Sequence, residues 1–177
     1  LFPKGGRKGL EISIGKPPPN DLVNQLDAWH DRIGGNCIDR TPGWMDWRYS
    51  DQSENDYEWV SAYRRDKLAA FGVWGMQNDR WGEVADHRAH LVELAGTDKR
   101  ARQAVLASII DGAWDKSAIL METMSNIGEV TASLRRAGFI KHRQAPLIIR
   151  GLVDNISDTD IYDHASWQFM GGDVDTF

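Results

Sequence analysis

Cysteine is all but missing, with Cys37 the single one in 177 residues. An internal disulfide is thereby excluded and nothing points to an oxidising compartment, so the expectation is a cytoplasmic chain in which Cys37 is inert. No apolar run approaches the roughly 20 residues that a membrane-spanning helix needs. Cationic excess is missing too, since 21 Lys and Arg face 26 Asp and Glu for a net charge of −5. Nucleic acid and anionic membrane surfaces both select clustered positive charge, so neither is an expected partner. Internal repeats and low-complexity tracts are absent. Leu1 to Gly15 has none of the charged, apolar and small-residue regions of a signal peptide. Because Leu1 rather than Met opens the chain, a fragment of a longer protein is expected.

What is present is a globular composition, 41% hydrophobic and 27% charged, in a chain long enough for one domain with its own core. Residues 1–20 read as linker and edge strand: a Gly-rich opening, the alternation Leu10-Glu11-Ile12-Ser13-Ile14, then Pro17-Pro18-Pro19. Residues 21–177 read as the α/β domain. Leu22, Leu26, Trp29 and Ile33 recur at helical spacing, with Asn20 or Asp21 available as N-cap and Gly34-Gly35 as the stop. The aromatic segment Trp44 to Tyr49 is expected to pack.

Tyr57 to Tyr63 and Leu68 to Met76 read as two antiparallel strands joined by a hairpin, ending at the turn signal Asn78-Asp79. Ala89 to Ala95 reads as a buried strand that passes across Gly96-Thr97-Asp98 into a helix with a face of small and apolar residues, among them Ala101, Ala104, Val105 and Ile109. Ala118 to Met124 is a further strand. Val130, Ser133, Leu134 and Ala137 define the next helix, with Asn126 and Glu129 at capping-box spacing and Gly138 as its C′ residue. Pro146 to Arg150 and Trp167 to Met170 complete the strands.

Several constellations compete for chemistry. His87 and His90 with Asp86 share a face only on a helix, and the segment reads as a strand, so no metal is expected. Asp173-Val174-Asp175 lies near the terminus and reads as tail. The tryptophans, eight in all, line a cleft or fill the core. Arg48 binds a substrate anion by a two-point contact, or stacks on an indole and pairs with an acid.

The order of elements, with Leu134-Arg135-Arg136-Ala137-Gly138-Phe139 before a strand, resembles the GNAT superfamily of N-acetyltransferases over about Asp21 to Arg150. The resemblance implies an α/β fold with a mixed central sheet, antiparallel N-terminal strands and a parallel pair of fourth and fifth strands, flanked by helices. It implies acetyl-CoA or another acyl-CoA as co-substrate, no metal, and transfer to a small-molecule or peptide amine. Trp47-Arg48-Tyr49, Tyr57 and the closing Trp167 to Asp175 look like the C-terminal halves of longer bacterial proteins with two such units. That likeness places Trp47, Arg48 and Tyr57 at the substrate, and a homodimer or a missing N-terminal domain is the expected partner.

The same resemblance sets the coenzyme against Leu94 and Ala95, against the helix start at Lys99, Arg100, Ala101, Arg102, Gln103, Ala104 and Val105, and near Asn126. A helix N-terminus offers unpaired N–H groups and a positive dipole end to a diphosphate. Here Gln103 and Val105 stand where the family's pattern carries small residues, which narrows the cradle. Glu93 is the first candidate base and Glu122 the second; the alternative for each is a solvent-facing carboxylate or one paired with a basic neighbour. The tyrosine that often protonates the leaving thiolate is replaced by Leu134. A catalytically silent GNAT-like unit with a structural or partner-binding role is the competing expectation.

Overall fold

The computed structural model describes residues 9–38, 40–51, 56–76, 87–142 and 167–171. The Pro146 to Arg150 strand, the Asn78-Asp79 turn, Asp86 and the Asp173 to Asp175 tail lie outside the described residues.

Strand β1 (Glu11–Ile14) leads into helix α1 (Pro19–Ile33), which begins inside the proline run. Proline has no N–H to lose in a first turn and its φ is already helical, so Pro19 starts the helix and Asn20 and Asp21 fall within it instead of capping it. Leu22, Leu26 and Trp29 are buried, as their spacing predicts, and the Gly34 N–H closes the helix on the His30 carbonyl. After the short strand β2 (Asn36–Cys37) comes helix α2 (Pro42–Asp46), whose Thr41 cap accepts from the Trp44 N–H at 3.1 Å. It continues without a break into a single π turn, Trp47–Asp51.

Strands β3 (Tyr57–Arg64) and β4 (Lys67–Met76) form the expected hairpin. Its two-residue turn, Arg65 and Asp66, takes φ of 50° and 61°, the mirror-image geometry that matches the strands' right-handed twist. Strand β5 (Arg88–Ala95), helix α3 (Lys99–Asp115), strand β6 (Leu120–Glu122) and helix α4 (Gly128–Arg136) follow, with strand β7 (Trp167–Gln168) last. One sheet has the order β1-β3-β4-β5-β6, antiparallel except for the parallel β5–β6 pair, and β2 with β7 makes a small parallel pair of its own. The architecture is the expected mixed α/β sheet flanked by helices.

The helix α3 covers one face of this sheet. A Cβ built on Gly72 would lie 2.7 Å from Ile109 and 3.0 Å from Val105, and one on Gly112 would lie 3.0 Å from the Trp74 ring. Gly72 and Trp74 of β4 therefore face α3. The intervening Val73 and Gly75 face the other way, toward an aromatic layer in which Trp59 stacks on Phe71 at 5.8 Å. No helix among the described residues is long and apolar enough to cross a membrane.

Candidate functional site

Two irregularities of β5 build the site. First, its ladder with β6 ends at the His90–Glu122 pair, and five more residues, Leu91 to Ala95, run on past the end of β6. Second, the register with β4 shifts: Val73 opposes Glu93 and Trp74 opposes Leu91, so Val92 is the extra residue of a bulge. In a regular strand, His90 and Glu93 would point to opposite faces. The bulge removes that alternation, and because Gly75 opposes His90 while Val73 opposes Glu93, both side chains emerge on the face away from α3. Glu122, opposite His90 on β6, joins them.

Glu93 is 1% exposed. Its Oε1 accepts from Arg40 Nε at 3.0 Å and from the Tyr49 hydroxyl at 2.9 Å. Arg40 also donates to the Ile38 carbonyl at 3.2 Å and lies over the Trp44 ring at 5.8 Å. The π turn puts Tyr49 there, and such one-turn widenings re-aim a side chain and occur often at functional sites. Tyr49 meets Tyr57 edge-on at 5.2 Å and Trp59 at 6.0 Å. Of the three residues assigned to substrate, Tyr57 thus lies beside the Glu93 network, Arg48 is partly buried in the π turn, and Trp47 is half exposed on it.

His90 is buried and Glu122 is half-buried. Glu122 faces Arg88 at 3.7 Å. Burial lowers the His90 pKa from its ordinary value; the Glu122 carboxylate opposes the shift and the Arg88 guanidinium adds to it. Sequence reasoning used His90 only as a discarded metal ligand, because the bulge that turns it beside Glu93 leaves no mark in the residue pattern.

The start of α3 is already supplied with an anion. Asp98 Oδ1 accepts from the Arg100 N–H at 2.8 Å and the Ala101 N–H at 3.1 Å, and the Asp98 carbonyl accepts from the Arg102 N–H at 2.9 Å. Arg64 holds the other carboxylate oxygen at 2.9 Å. Burial raises the Asp98 pKa, but the two N–H groups and Arg64 outweigh it and leave the carboxyl below its usual range. Lys99 and Arg100 are exposed at this end.

The remaining positions of that helix turn inward. Ala101, Ala104 and Val105 are buried, with Val105 against Gly72, while Gln103 donates to the Ser133 carbonyl of α4 at 2.9 Å. Arg102 is buried as well: it donates to the Gly96 carbonyl and to Glu129 at 2.5 Å, and its guanidinium lies 5.2 Å from the Trp29 ring centroid. Glu129 is shared with Arg32 of α1 at 2.5 Å. Glu129 therefore ties α1 and α3 to α4, where its spacing from Asn126 predicts a capping box. Leu94 and Ala95 are buried opposite Gly72 and Phe71 at the far end of β5.

Helix α4 ends as its sequence predicts. Gly138, at φ 89°, donates to the Arg135 carbonyl and Phe139 to the Leu134 carbonyl, the paired bonds of a left-handed glycine stop. Leu134 is buried in the core. Asn126 does not cap α4, whose N-cap position is Ile127. It clasps the C-terminal segment instead, donating to the Trp167 carbonyl at 2.5 Å and accepting from the Phe169 N–H at 2.9 Å.

No protein-family model matches the sequence, and no curated protein does. The fold, by contrast, has solved counterparts. A ribosomal-protein-alanine N-acetyltransferase from Brucella melitensis biovar Abortus 2308 superposes with a TM-score of 0.60 at 11% identity, covering 80% of this chain and 97% of that one. An integron cassette protein from the mobile metagenome of V. cholerae gives 0.59 at 13%, over 81% and 94%. An aminoglycoside acetyltransferase from an uncultured soil metagenomic sample gives 0.54 at 12%, over 82% and 98%. The chain has the fold of the GNAT acetyltransferases, and the sheet that the resemblance implies is the sheet observed.

Proposed function

We propose that this chain is an N-acyltransferase that moves an acetyl or similar group from an acyl-CoA to an amine by direct transfer. The observation that carries this reading is the edge of β5 that faces away from β4: among the described residues Leu91 to Ala95 run on beyond the end of β6, alongside a face that holds His90, Glu93 and Glu122. An amide-bearing thioester arm adds to such an edge as a strand would. Backbone groups of Leu94 and Ala95 then lie near the thioester, where an N–H stabilises negative charge growing on its carbonyl oxygen. The amine must lose a proton and the thiolate must gain one, and the same face of β5 supplies the groups for both.

The residues present fit the arm better than the diphosphate. Asp98 already takes the N–H groups of Arg100 and Ala101, and Arg102 is committed to Glu129 and Gly96, which leaves Lys99 and Arg100 to meet the phosphates as side-chain charges. Coenzyme affinity on this reading comes mainly from the arm and from screened surface charge. The occupied helix start and the buried Leu134 favour a second reading, a catalytically silent unit with a structural or partner-binding role.

Calorimetric titration of the purified chain with acetyl-CoA separates the two. The acyltransferase reading expects a saturable heat and a rise in Tm, about 2.7 kcal/mol of stabilisation when ligand reaches a hundred times Kd. Absence of both at millimolar acetyl-CoA would sink it in favour of the silent unit.

A further inference from the structure

We propose that His90 is the catalytic base of this transfer and then its acid, working at the point where β5 and β6 part. The inference rests on the acyltransferase reading and adds the residue that moves the proton. Three observations place His90 in that role. It stands at the last β5–β6 pair, next to the stretch of β5 that an acyl donor would line. The bulge at Val92 turns it onto the face of Glu93 instead of into the α3 side. Of the two carboxylates on that face, Glu93 is held by Arg40 and Tyr49 and serves as a fixed buried charge that positions the aromatic layer, and Glu122 faces Arg88 at 3.7 Å.

The chemistry balances with one residue. The amine nitrogen attacks the thioester carbonyl carbon, a C–N bond forms, and the N–H proton passes to the imidazole. The C–S bond then breaks, the thiolate leaves, and it takes that proton back from the imidazolium. Thioester and amine become amide and thiol with His90 restored. This cycle also provides the acid that Leu134 cannot.

The groups around His90 set its pH range. Glu122 faces it from β6, Arg88 precedes it by two residues on β5, and the Tyr57 ring lies 3.1 Å from a Cβ built on Gly75, its partner on β4. Glu93 shares its face further along β5. Desolvation dominates, so the imidazole stays neutral, and basic, to a pH below the ordinary histidine value.

The test follows free thiol released from acetyl-CoA with a panel of primary amines. The wild-type rate, referred to the unprotonated fraction of the amine at each pH, is expected to be flat through neutral pH and to fall only below about 6.5, the unperturbed histidine value. His90→Gln is expected to lower kcat about 10²- to 10⁴-fold with little change in acetyl-CoA affinity, and to remove the acidic limb. Added imidazole should restore part of the rate to His90→Ala. If the wild type turns over and His90→Gln keeps its rate and pH profile, the assignment of His90 fails while the acyltransferase reading stands. If the wild type binds no acetyl-CoA and releases no thiol with any amine, both fail. Should the variants not fold, the wild-type profile, referred to unprotonated amine, still decides: an acidic limb lying above the ordinary histidine value contradicts His90.

Discussion

Replacing Glu93 by Ala is expected to cost about 3–5 kcal/mol of stability, because it removes the carboxylate from a guanidinium that stays buried. Arg40 is 4% exposed and Glu93 1%, so water cannot take over the lost contact without opening the core. Tyr49 loses the Glu93 acceptor at the same time, and the loss of that buried bond adds to the penalty. At about 2–4 °C per kcal/mol for a domain of this size, the midpoint of thermal unfolding should fall by roughly 6–20 °C. Charge, not shape, is responsible on this account. The double variant Arg40→Met/Glu93→Leu should recover most of the loss, since a buried pair replaced by apolar groups of similar volume is often neutral. A loss under about 1 kcal/mol for Glu93→Ala would mean that the pair is solvated and the network is not the floor of the site.

Gly96→Ala is the second large effect. Gly96 sits at φ 139°, between β5 and α3, and a Cβ there would lie 2.5 Å from the Ala70 Cα and 2.6 Å from the Ala69 carbonyl oxygen. These are backbone atoms of the neighbouring strand and cannot swing aside as a side-chain tip can. Overpacking costs about 1–3 kcal/mol, and a left-handed backbone conformation forced on alanine adds about 1–3 kcal/mol. The Gly96 carbonyl also seats Arg102, so the corner that aims α3 should shift with it. A fall in the denaturation midpoint with an unchanged slope would report this loss of stability. An unaltered midpoint would show that the corner relaxes freely.

Much of the fold was legible because its signals are local. Helix α1 follows from four apolar residues at helical spacing, the β3–β4 hairpin from two strand-like runs around a polar turn, and the end of α4 from Gly138-Phe139, whose backbone bonds give that pair a physical basis. The caps were harder, since Pro19 displaced Asn20 and Asp21, and Asn126 found its partners 41 and 43 residues away. The site was least legible for the same reason. Arg40 sits in a connecting segment with no periodicity, and its partner is 53 residues distant. Arg102 did carry a signal, a charge on the stripe that holds Val105 and Ile109, which marks a buried guanidinium in need of an acid; which acid, the pattern does not say. The bulge at Val92 left none, and it decides which way His90 points.

Amide hydrogen exchange along β5, measured with and without acetyl-CoA, tests the central claim most directly. The account predicts slowed exchange among the Leu91 to Ala95 amides that point away from β4, with α1 and the β1–β3 edge unchanged. Saturating acetyl-CoA that leaves Leu91 to Ala95 exchanging at their free rates would contradict it.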